Sequence, residues 1–304
     1  MIYDVIIVGA GPAGITSAIY TARNNLNTLV LGGNIGGLLF NKAVNIENYP
    51  GFPSISGIEL AFKFKEHLET LENTLIKEEV VLNILQQNNL FKVKTEKNEF
   101  QGKTVIVTAG TKLRALNVKG EKEFLGKGVG YCPVCDGPFF KGKDVAIIGG
   151  GNAAFEAGIF LSSIAKSIFI LERGNSFLAD KKNQEKVKEF ENIRTYTNAE
   201  LLEIKGNDFV SSIKWKHRSH TLETRLQAVF IQIGCVPETS FVQNLVDLNQ
   251  KGEIIVNEDM QTKTKGLFAG GDVTNSKVKQ IICAASSGAI AGLSAYNYLL
   301  NYEN

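Results

Sequence analysis

The residue pattern with the clearest chemistry is a pair of cysteines two residues apart, Cys132 and Cys135, with Asp136 directly after the second. A CxxC pair can close a disulfide across one turn, and such motifs lower the pKa of a thiol. Asp136 could move a proton as a thiolate forms or is consumed. The pattern predicts dithiol–disulfide chemistry, with these three residues as the catalytic group.

Two other uses of the cysteine pair are a zinc half-site and two buried thiols. Zinc takes four ligands, the sequence contains no second CxxC, and His67, His217 and His220 are poorly placed along the chain. Redox chemistry is therefore favoured, and no metal is expected. Cys235 and Cys283 stand in apolar surroundings, which favours a packing role in the core for both.

A glycine-rich segment, Gly9-x-Gly11-x-x-Gly14, follows an apolar run at residues 5–8 and opens a helical pattern at residues 15–24. Glycines at these places permit a tight turn, close approach of the backbone to a pyrophosphate, and close packing of helix on strand. A purely structural glycine turn is the alternative. A dinucleotide fingerprint normally has an acidic residue after its second strand, here residues 29–31, to bind the ribose hydroxyls. That acidic residue is missing, and Asn34 stands in the region instead.

A second fingerprint, Gly149-x-Gly151-x-x-Ala154, repeats the first at an offset of 140 residues. Here the second strand, at residues 167–171, is followed by Glu172 and Arg173. A carboxylate in this place accepts hydrogen bonds from the adenosine ribose 2′-OH of NADH, although an arginine beside it could accept a 2′-phosphate. A surface glutamate at a strand end is the alternative.

The repeat extends beyond the fingerprints. Predicted hairpins at residues 80–95 and 210–225 each precede an apolar strand that ends in glycine, at residues 104–110 and 228–234. The segment 266–300 adds a strand, glycines and a helix that we expect to return to the first domain. The sequence thus predicts an α/β fold with two Rossmann-like dinucleotide-binding domains, each three-layered with a parallel sheet and an antiparallel hairpin layer, the first domain being discontinuous.

Composition narrows the class of protein further. The 304 residues are 44% hydrophobic and 21% charged, which excludes a disordered chain. The net charge is +2 without a basic cluster, so no nucleic-acid partner is expected. The apolar stretch at residues 145–165 carries Asn152 and Glu156, so no membrane span is expected. With no targeting signal at the N-terminus, we expect a cytoplasmic protein.

Two dinucleotide fingerprints and one CxxC together indicate electron transfer from a pyridine nucleotide through a flavin to a disulfide. Over its whole length the chain resembles the low-molecular-weight thioredoxin reductases. It resembles still more closely the reductase portion of the alkyl hydroperoxide reductase flavoprotein subunit. Beyond the fingerprints, the matching stretches are 47–51, 131–138, 140–143, 232–234, 252–255, 268–272 and 279–282.

The resemblance implies a thioredoxin-disulfide reductase type of flavoenzyme with FAD on the N-terminal fingerprint. It implies an FAD-binding domain at residues 1–113 and 240–304, and a pyridine-nucleotide domain with the CxxC at residues 116–237. The expected FAD residues are Gly9, Gly11, Pro12, Ala13, Gly14, Gly37, Asn48, Ala109, Gly110, Gly271, Asp272, Lys279, Gln280 and Ile281. The expected NAD(P)H residues are Gly149, Gly151, Asn152, Ala153, Ala154, Glu172, Arg173 and Gly234.

The resemblance also implies roles. Asp272 would bond the ribitol chain, with Gln280 and Ile281 near the isoalloxazine. Cys135 would lie against the flavin, and Cys132 would attack the disulfide of a partner. A homodimer is expected, with domains that rotate between flavin reduction and disulfide exchange.

The chain departs from thioredoxin reductases at the nucleotide site. The family usually has His-Arg-Arg and a further Arg, where this chain has Glu172, Arg173, Gly174 and Leu178. We therefore expect NADH to be preferred, with NADPH as a second donor. The hydroperoxide reductase subunit carries an extra N-terminal dithiol module, whereas this chain begins at the FAD strand. We therefore expect a separate thioredoxin- or glutaredoxin-like protein as the acceptor.

Two further functions remain as alternatives. One is a flavin disulfide reductase that takes electrons from ferredoxin or another donor, against which the intact second fingerprint argues. The other is a non-catalytic sensor that binds flavin and reports the redox state of its dithiol, against which the intact CxxC-Asp argues.

Overall fold

The computed structural model describes residues 1–39, 46 and 48–301. The strands of the first part of the chain are β1 (Ile2–Val8), β2 (Thr28–Leu31), β3 (Thr74–Lys77), β4 (Val81–Gln87), β5 (Leu90–Thr95), β6 (Glu99–Val107), β7 (Thr111–Leu113) and β8 (Val129–Gly130). The later strands are β9 (Asp144–Ile148), β10 (Ser167–Leu171), β11 (Ile193–Tyr196), β12 (Ala199–Gly206), β13 (Val210–His217), β14 (His220–Arg225), β15 (Ala228–Ile231), β16 (Cys235–Pro237) and β17 (Leu267–Ala269).

The helices of the described residues are α1 (Pro12–Arg23), α2 (Gly57–Glu69), α3 (Pro133–Asp136), α4 (Asn152–Leu161), α5 (Lys181–Val187) and α6 (Ile281–Leu300). Short 3₁₀ turns lie at Gly137–Phe140 and Gly271–Val273. None of these helices combines the length and the apolarity that crossing a bilayer requires.

The chain forms two compact units, Met1–Lys112 with Val236–Asn304, and Leu113–Cys235. The first unit is therefore discontinuous in sequence. The expected domain bounds place the connections at residues 113–116 and 237–240, and the passages between the two compact units lie at residues 112–113 and 235–236. Strands β7 and β16 at these passages pair as a two-stranded sheet.

The first unit is built on one mixed sheet of order β3-β2-β1-β6-β5-β4, with β17 also on β6. β6 is long enough to pair on one edge first with β5, antiparallel, and then with β17, parallel. The predicted hairpin is therefore part of this mixed sheet rather than a separate layer. Its turn is made by Asn88 and Asn89, both with positive φ, which asparagine tolerates better than most residues.

Two helices with small residues at their contact cover one face of this sheet. A Cβ on Gly288 of α6 would lie 2.1 Å from the backbone oxygen of Ala13 in α1, so only glycine allows this approach. Ser17 Oγ donates to the oxygen of Gly288 at 2.8 Å. The contact fixes the start of α1 against the last helix of the chain.

The second unit contains a parallel sheet of order β11-β10-β9-β15-β8 and a separate antiparallel sheet of order β12-β13-β14. The strands β9, β10 and β15 are almost wholly buried, as expected for a parallel sheet covered on both faces. The apolar cluster between the two sheets includes Leu171, Ile213 and Trp215. The carboxyl ends of β9, β10 and β15 meet at one edge, where the second fingerprint lies.

Candidate active site

The first fingerprint forms a tight turn between β1 and α1. Gly9 has a φ of +113°, and a Cβ there would lie 2.3 Å from the oxygen of Thr108. A Cβ on Gly14 would lie 1.8 Å from the oxygen of Gly9. Gly11 differs, because its added Cβ would meet nothing within 4 Å, and it begins α1 without a side-chain cap. The start of α1 therefore offers uncapped N–H groups and open space to an anion.

Other predicted FAD residues surround this helix start. A Cβ on Gly37 would lie 3.3 Å from the Cα of Gly11, and a Cβ on Gly271 would lie 2.9 Å from the Cβ of Ala13. Ala109 and Gly110 follow β6, the strand beside β1. The structure thus brings the three glycine-containing segments together with Pro12 at the first position of α1.

The remaining FAD candidates are Asn48 and residues that lie between the 3₁₀ turn at Gly271–Val273 and the first residue of α6. Asn48 Nδ2 donates to Gln280 Oε1 at 3.0 Å, so these two lie side by side. Lys279 Nζ donates to the backbone oxygens of Asp272 (3.0 Å) and Thr274 and is paired with Glu253 at 3.0 Å. Because these three acceptors engage its ammonium group, Lys279 positions the 3₁₀ turn of Asp272. Ile281 packs partly buried on an apolar cluster with Leu60.

A cavity of about 380 Å³ lies beside the loop after β2. Asn34 and Gly37 line it together with Phe62, Lys65 and Glu78. Glu78 follows β3, the strand next to β2, and it belongs to none of the sequence motifs described above. It supplies an acid close to the place where the expected one after β2 is missing.

The second fingerprint has the same local geometry as the first. Gly149 has a φ of +131°, and a Cβ there would lie 2.2 Å from the oxygen of Gln232. Gly151 begins α4 without a side-chain cap, and its added Cβ would meet nothing within 4 Å. Ala154 is fully buried, so its small side chain lets α4 approach the sheet closely. Gly234 follows β15 with positive φ and open space around it.

Glu172 follows β10 and folds back on its own loop. Its Oε1 accepts the N–H of Gly174 at 2.5 Å, and its Oε2 lies 2.6 Å from where a Cβ on Gly150 would be. Glu172 is half-buried, whereas Arg173 is exposed. The carboxylate therefore lies at the fingerprint turn.

Asn152 is bonded within the protein in both directions. Its Oδ1 accepts the N–H of Asp180 at 2.7 Å, and its Nδ2 donates to the carboxylate of Asp180 at 2.8 Å. The N–H groups of Leu178 and Ala179 donate to the oxygen of Gly150. Asn152 thus fastens the segment after Glu172 to the start of α4, and Ala153 follows it in the first turn. Leu178, at the place of a family arginine, is 82% exposed.

Cys132 and Cys135 form a disulfide, at either end of the first turn of α3. Cys132 is 8% exposed, whereas Cys135 is exposed to solvent. The N–H of Cys135 donates to Cys132 Sγ at 3.1 Å. After reduction such a bond would stabilise a thiolate at Cys132.

Asp136 is partly buried behind the disulfide, and burial raises the pKa of its carboxyl. A Cβ on Gly130 would lie 2.6 Å from Asp136 Oδ2, so the carboxyl packs against the backbone of β8. A carboxyl with a raised pKa exchanges its proton closer to neutral pH than an ordinary one. The arrangement suits a proton donor and acceptor next to the dithiol.

The residue before Cys132 is held by groups that sequence analysis missed. Tyr131 Oη donates to Glu121 Oε1 at 2.6 Å, and burial, then this bond and the charge of Glu121, raise the pKa of Tyr131. Gln232 Nε2 donates to the oxygen of Tyr131 at 2.9 Å. Gln232 lies in a stretch that matches the family, but the stretch gave no indication of this contact.

The other two cysteines are not joined to each other or to the pair. Both Cys235 and Cys283 are only half-buried, so the prediction that they belong to the core is wrong. Cys235 begins β16 at a passage between the units, and Cys283 lies in the first turn of α6, before the part that packs on α1. Among the described residues, no group of three or more His, Cys, Asp or Glu side chains is close enough to hold a metal.

Comparison with known proteins identifies the family. The sequence model of the pyridine nucleotide-disulphide oxidoreductases matches residues 3–288. A subunit of the alkyl hydroperoxide reductase of Staphylococcus epidermidis is 39% identical over 301 residues, 98% of this chain and 59% of that protein. NADH dehydrogenase of Bacillus subtilis is 40% identical over 301 residues with the same shares. The chain therefore spans about three fifths of the length of these relatives.

The crystal structure of Lactococcus lactis thioredoxin reductase matches with a TM-score of 0.91 and 36% identity, over 98% of this chain and 99% of that one. The expected fold class and the resemblance are thus confirmed, and the family implies FAD and a pyridine nucleotide as cofactors. The chain, which carries a CxxC disulfide, therefore belongs to the pyridine nucleotide-disulphide oxidoreductases and has a fold of the thioredoxin reductase type.

Proposed function

We propose that the protein transfers electrons from NADH, through FAD and the Cys132–Cys135 disulfide, to the disulfide of a thioredoxin- or glutaredoxin-like protein. The observation that carries the proposal is the disulfide beside Asp136, in the same unit as the second fingerprint. A thioredoxin reductase among the similar structures and an NADH dehydrogenase among the relatives support the acceptor and the donor, respectively.

The first unit is proposed to hold FAD. The uncapped start of α1 would take the pyrophosphate, with Gly11, Gly37 and Gly271 leaving room for it. Asp272 would bond the ribitol chain, Ala109 and Gly110 would border the site, and the Asn48–Gln280 pair would lie with Ile281 near the isoalloxazine. Lys279 acts through the 3₁₀ turn that it holds. FAD, when bound, supplies two-electron transfer between a pyridine nucleotide and a dithiol.

The adenosine ribose of FAD requires polar partners for its hydroxyl groups. The acidic residue expected for this purpose is missing from the loop after β2. We assign this place to Asn34 and Glu78, which line the same cavity. Glu78 is exposed, so its carboxylate can turn toward a ribose hydroxyl without breaking a buried contact.

The second unit is proposed to hold NADH. The start of α4 at Asn152 and Ala153 would face the pyrophosphate, and Gly234 would leave room beside the nicotinamide. The carboxylate of Glu172 would accept a hydrogen bond from the 2′-OH of the adenosine ribose. A 2′-phosphate in the same place would meet that negative charge with only the exposed Arg173 to offset it, which disfavours NADPH.

The dithiol step is a pair of thiol–disulfide exchanges. The Cys132 thiolate, stabilised by the N–H of Cys135, attacks one sulfur of the partner disulfide, and the other partner sulfur leaves as a thiolate. Cys135 next attacks Cys132 Sγ, which reforms the internal disulfide and releases the reduced partner. Asp136 takes the proton of the attacking thiol and supplies one to the leaving sulfur. Two electrons pass to the partner in each cycle.

The test is rapid mixing of the flavin-loaded enzyme with NADH, NADPH or reduced ferredoxin, followed by oxidised thioredoxin. We expect flavin absorbance to bleach fastest with NADH and to recover on adding thioredoxin. Bleaching by ferredoxin alone would overturn the donor, and bleaching without recovery would overturn the acceptor. The homodimer and the cytoplasmic location belong to the same proposal, and light scattering and cell fractionation test them.

A further inference from the structure

Gln232, just after β15, makes contacts toward both functional parts of the second unit. Its side-chain Nε2 donates to the backbone oxygen of Tyr131 at 2.9 Å. Its N–H donates to the oxygen of Ile148 at 2.7 Å, and its own oxygen lies 2.2 Å from where a Cβ on Gly149 would be. One residue therefore touches the residue before Cys132 and the first glycine of the nucleotide fingerprint.

The residue that Gln232 holds is also fixed at its other end. The hydroxyl of Tyr131 donates to Glu121, a carboxylate that is only 3% exposed. Glu121 also accepts the N–H groups of Leu116 and Asn117 at 3.0 and 2.6 Å. Glu121 is therefore anchored to backbone, and Tyr131 is held by its ring hydroxyl and by its carbonyl.

The two hydrogen bonds on Tyr131 fix the position of the main chain immediately before Cys132. The bond from the Cys135 N–H to Cys132 Sγ depends on this position, since a small rotation of the Cys132 backbone moves the sulfur away from the donor. A thiolate that loses a hydrogen-bond donor becomes a stronger base and forms at higher pH. The ionisable groups nearest along this segment are Asp136, Tyr131 and Glu121.

On the other side, Gly149 is packed so closely on Gln232 that a Cβ there would lie 2.2 Å from the Gln232 oxygen. An anion bound at the fingerprint would contact a turn that lies directly against the Gln232 backbone. A displacement of this turn would be transmitted to the side chain that holds Tyr131. Coupling of this kind is reciprocal, because each site changes the free energy of the other by the same amount.

We propose that Gln232 is a positioning residue that couples the nucleotide site to the dithiol, so that a nucleotide on the second fingerprint changes the reactivity of Cys132. The inference deepens the proposed function and rests on it for the location of the nucleotide. It assigns to Gln232 no contact with the reacting atoms.

The experiment measures alkylation of the dithiol in the full-length, flavin-loaded enzyme after reduction by dithiothreitol. Trypsin releases residues 128–141 as one peptide that contains Cys132 and Cys135 and neither of the other cysteines, so iodoacetamide labelling is read by mass spectrometry. Rates are measured across pH with and without ADP-ribose, which carries the adenosine and pyrophosphate but no redox-active ring.

In the wild type we expect ADP-ribose to change the labelling rate by about fivefold or more, the lower end of ordinary coupling. In Gln232→Ala and in the isosteric Gln232→Glu, which lacks the donor, labelling should begin at higher pH and the ADP-ribose effect should disappear. Gln227 is the matched control, since it lies just before β15 and its side chain accepts a bond from backbone, the N–H of Asp144 at 3.1 Å. Gln227→Ala should label as the wild type does.

The inference is overturned if both Gln232 variants keep the wild-type pH profile and ADP-ribose effect. It is also overturned if Gln227→Ala shifts both quantities equally, because the effect would then be general loosening of β15. If ADP-ribose binds but leaves the wild-type labelling rate unchanged, the coupling is absent, whereas the assignment of the nucleotide site is retained. If calorimetry shows that ADP-ribose does not bind, the nucleotide site itself fails, and the coupling fails with it.

Discussion

Glu172 and Gly174 are joined by a short hydrogen bond, in which the N–H of Gly174 donates to Glu172 Oε1 at 2.5 Å. The bond directs the carboxylate back to the fingerprint turn, where Oε2 lies against Gly150. The acid is thus held in place before any ligand arrives, and a bound ribose hydroxyl would meet a fixed acceptor. A Cβ on Gly174 would lie 3.0 Å from Oε1, so a side chain there disturbs the acid.

The first prediction follows from this pair. A charge-assisted hydrogen bond contributes about 1.5–3 kcal/mol. At the lower end of this range, a difference of about 1.5–2 kcal/mol, we expect NADH to exceed NADPH in kcat/KM by about 10–30-fold. Replacing Glu172 with His and Gly174 with Arg removes the acid and adds a phosphate fork, and should move the preference toward NADPH. Steady-state kinetics with a fixed thioredoxin substrate measure both values. A wild type that prefers NADPH would mean that Arg173 outweighs Glu172.

The second prediction separates the two halves of the reaction. Cys135→Ser should keep flavin bleaching by NADH but lose reduction of thioredoxin, because electrons leave the flavin only through the dithiol. Because Cys135 is no longer present to attack the mixed disulfide between Cys132 and the partner, that mixed disulfide should accumulate. Stopped-flow absorbance and non-reducing electrophoresis give the two readouts.

Cys283→Ser is the control for that variant, since Cys283 is half-buried and joined to no other cysteine. It should change thioredoxin reduction by less than about twofold, in line with an ordinary conservative substitution. If Cys135→Ser reduced thioredoxin as fast as Cys283→Ser, the dithiol route would be wrong. If the mixed disulfide accumulated in Cys132→Ser instead, Cys135 would be the thiol that attacks the partner, and the two assigned roles would have to be reversed.

The third prediction concerns Asp136 and pH. Asp136→Asn keeps the shape but cannot transfer a proton, so thioredoxin reduction should fall by about 100-fold while flavin bleaching is retained. Burial raises the pKa of Asp136, so the acid limb of the wild-type pH profile should lie above that of an ordinary carboxyl. That limb should be missing in the variant.

Stability serves as the control for Asp136→Asn. Because burial penalises only the charged form, the wild-type carboxyl is tolerated below the ordinary pKa of about 4 and costs stability as pH rises through its raised folded pKa. The variant should therefore melt no lower than the wild type near pH 8, and the difference should shrink as the pH is lowered. A variant that melts lower at pH 8 would attribute the lost activity to folding.

The fourth prediction compares two glycines of the first unit. Gly11→Ala should fold normally, since its Cβ meets nothing within 4 Å, yet bind little flavin, since the methyl group occupies the approach to α1. Gly288→Ala should cost about 1–3 kcal/mol of stability, as overpacking does, because its Cβ would lie 2.1 Å from the Ala13 oxygen. Flavin absorbance per protein and thermal melting distinguish them. A Gly11→Ala enzyme with full flavin would remove the pyrophosphate from this helix start.

The buried strands and both fingerprints could be predicted because each depends on a local pattern. Strand β10 begins and ends where the apolar run at residues 167–171 does, and the asparagine pair marks the hairpin turn. Strands β3 and β11 escaped prediction. Both are only four residues long and lie at sheet edges, and neither contains a fully buried residue that would mark a buried strand.

The support for the dithiol could not be predicted for a different reason. Gln232 and Tyr131 are 101 residues apart, so no local pattern joins them. Glu121 is followed by Lys122 and Glu123, charged neighbours typical of exposed surface. It is nevertheless buried, and three donors satisfy its carboxylate. Contacts of this kind exist only after the sheets have formed.

The packing of Gly288 on Ala13 also determines when the first unit can complete its folding during synthesis. During synthesis residues 113–235 emerge as one continuous unit and can close as soon as they leave the ribosome. The first unit emerges earlier but lacks β17 and α6 until almost the whole chain has been translated. The first unit therefore cannot be completed before residues 113–235 have been synthesised, and the small-residue face of α1 stays uncovered until α6 is made. A nonsense mutation between residues 236 and 280 would leave the complete dithiol unit attached to an incomplete first unit, which chaperones and proteases would recognise.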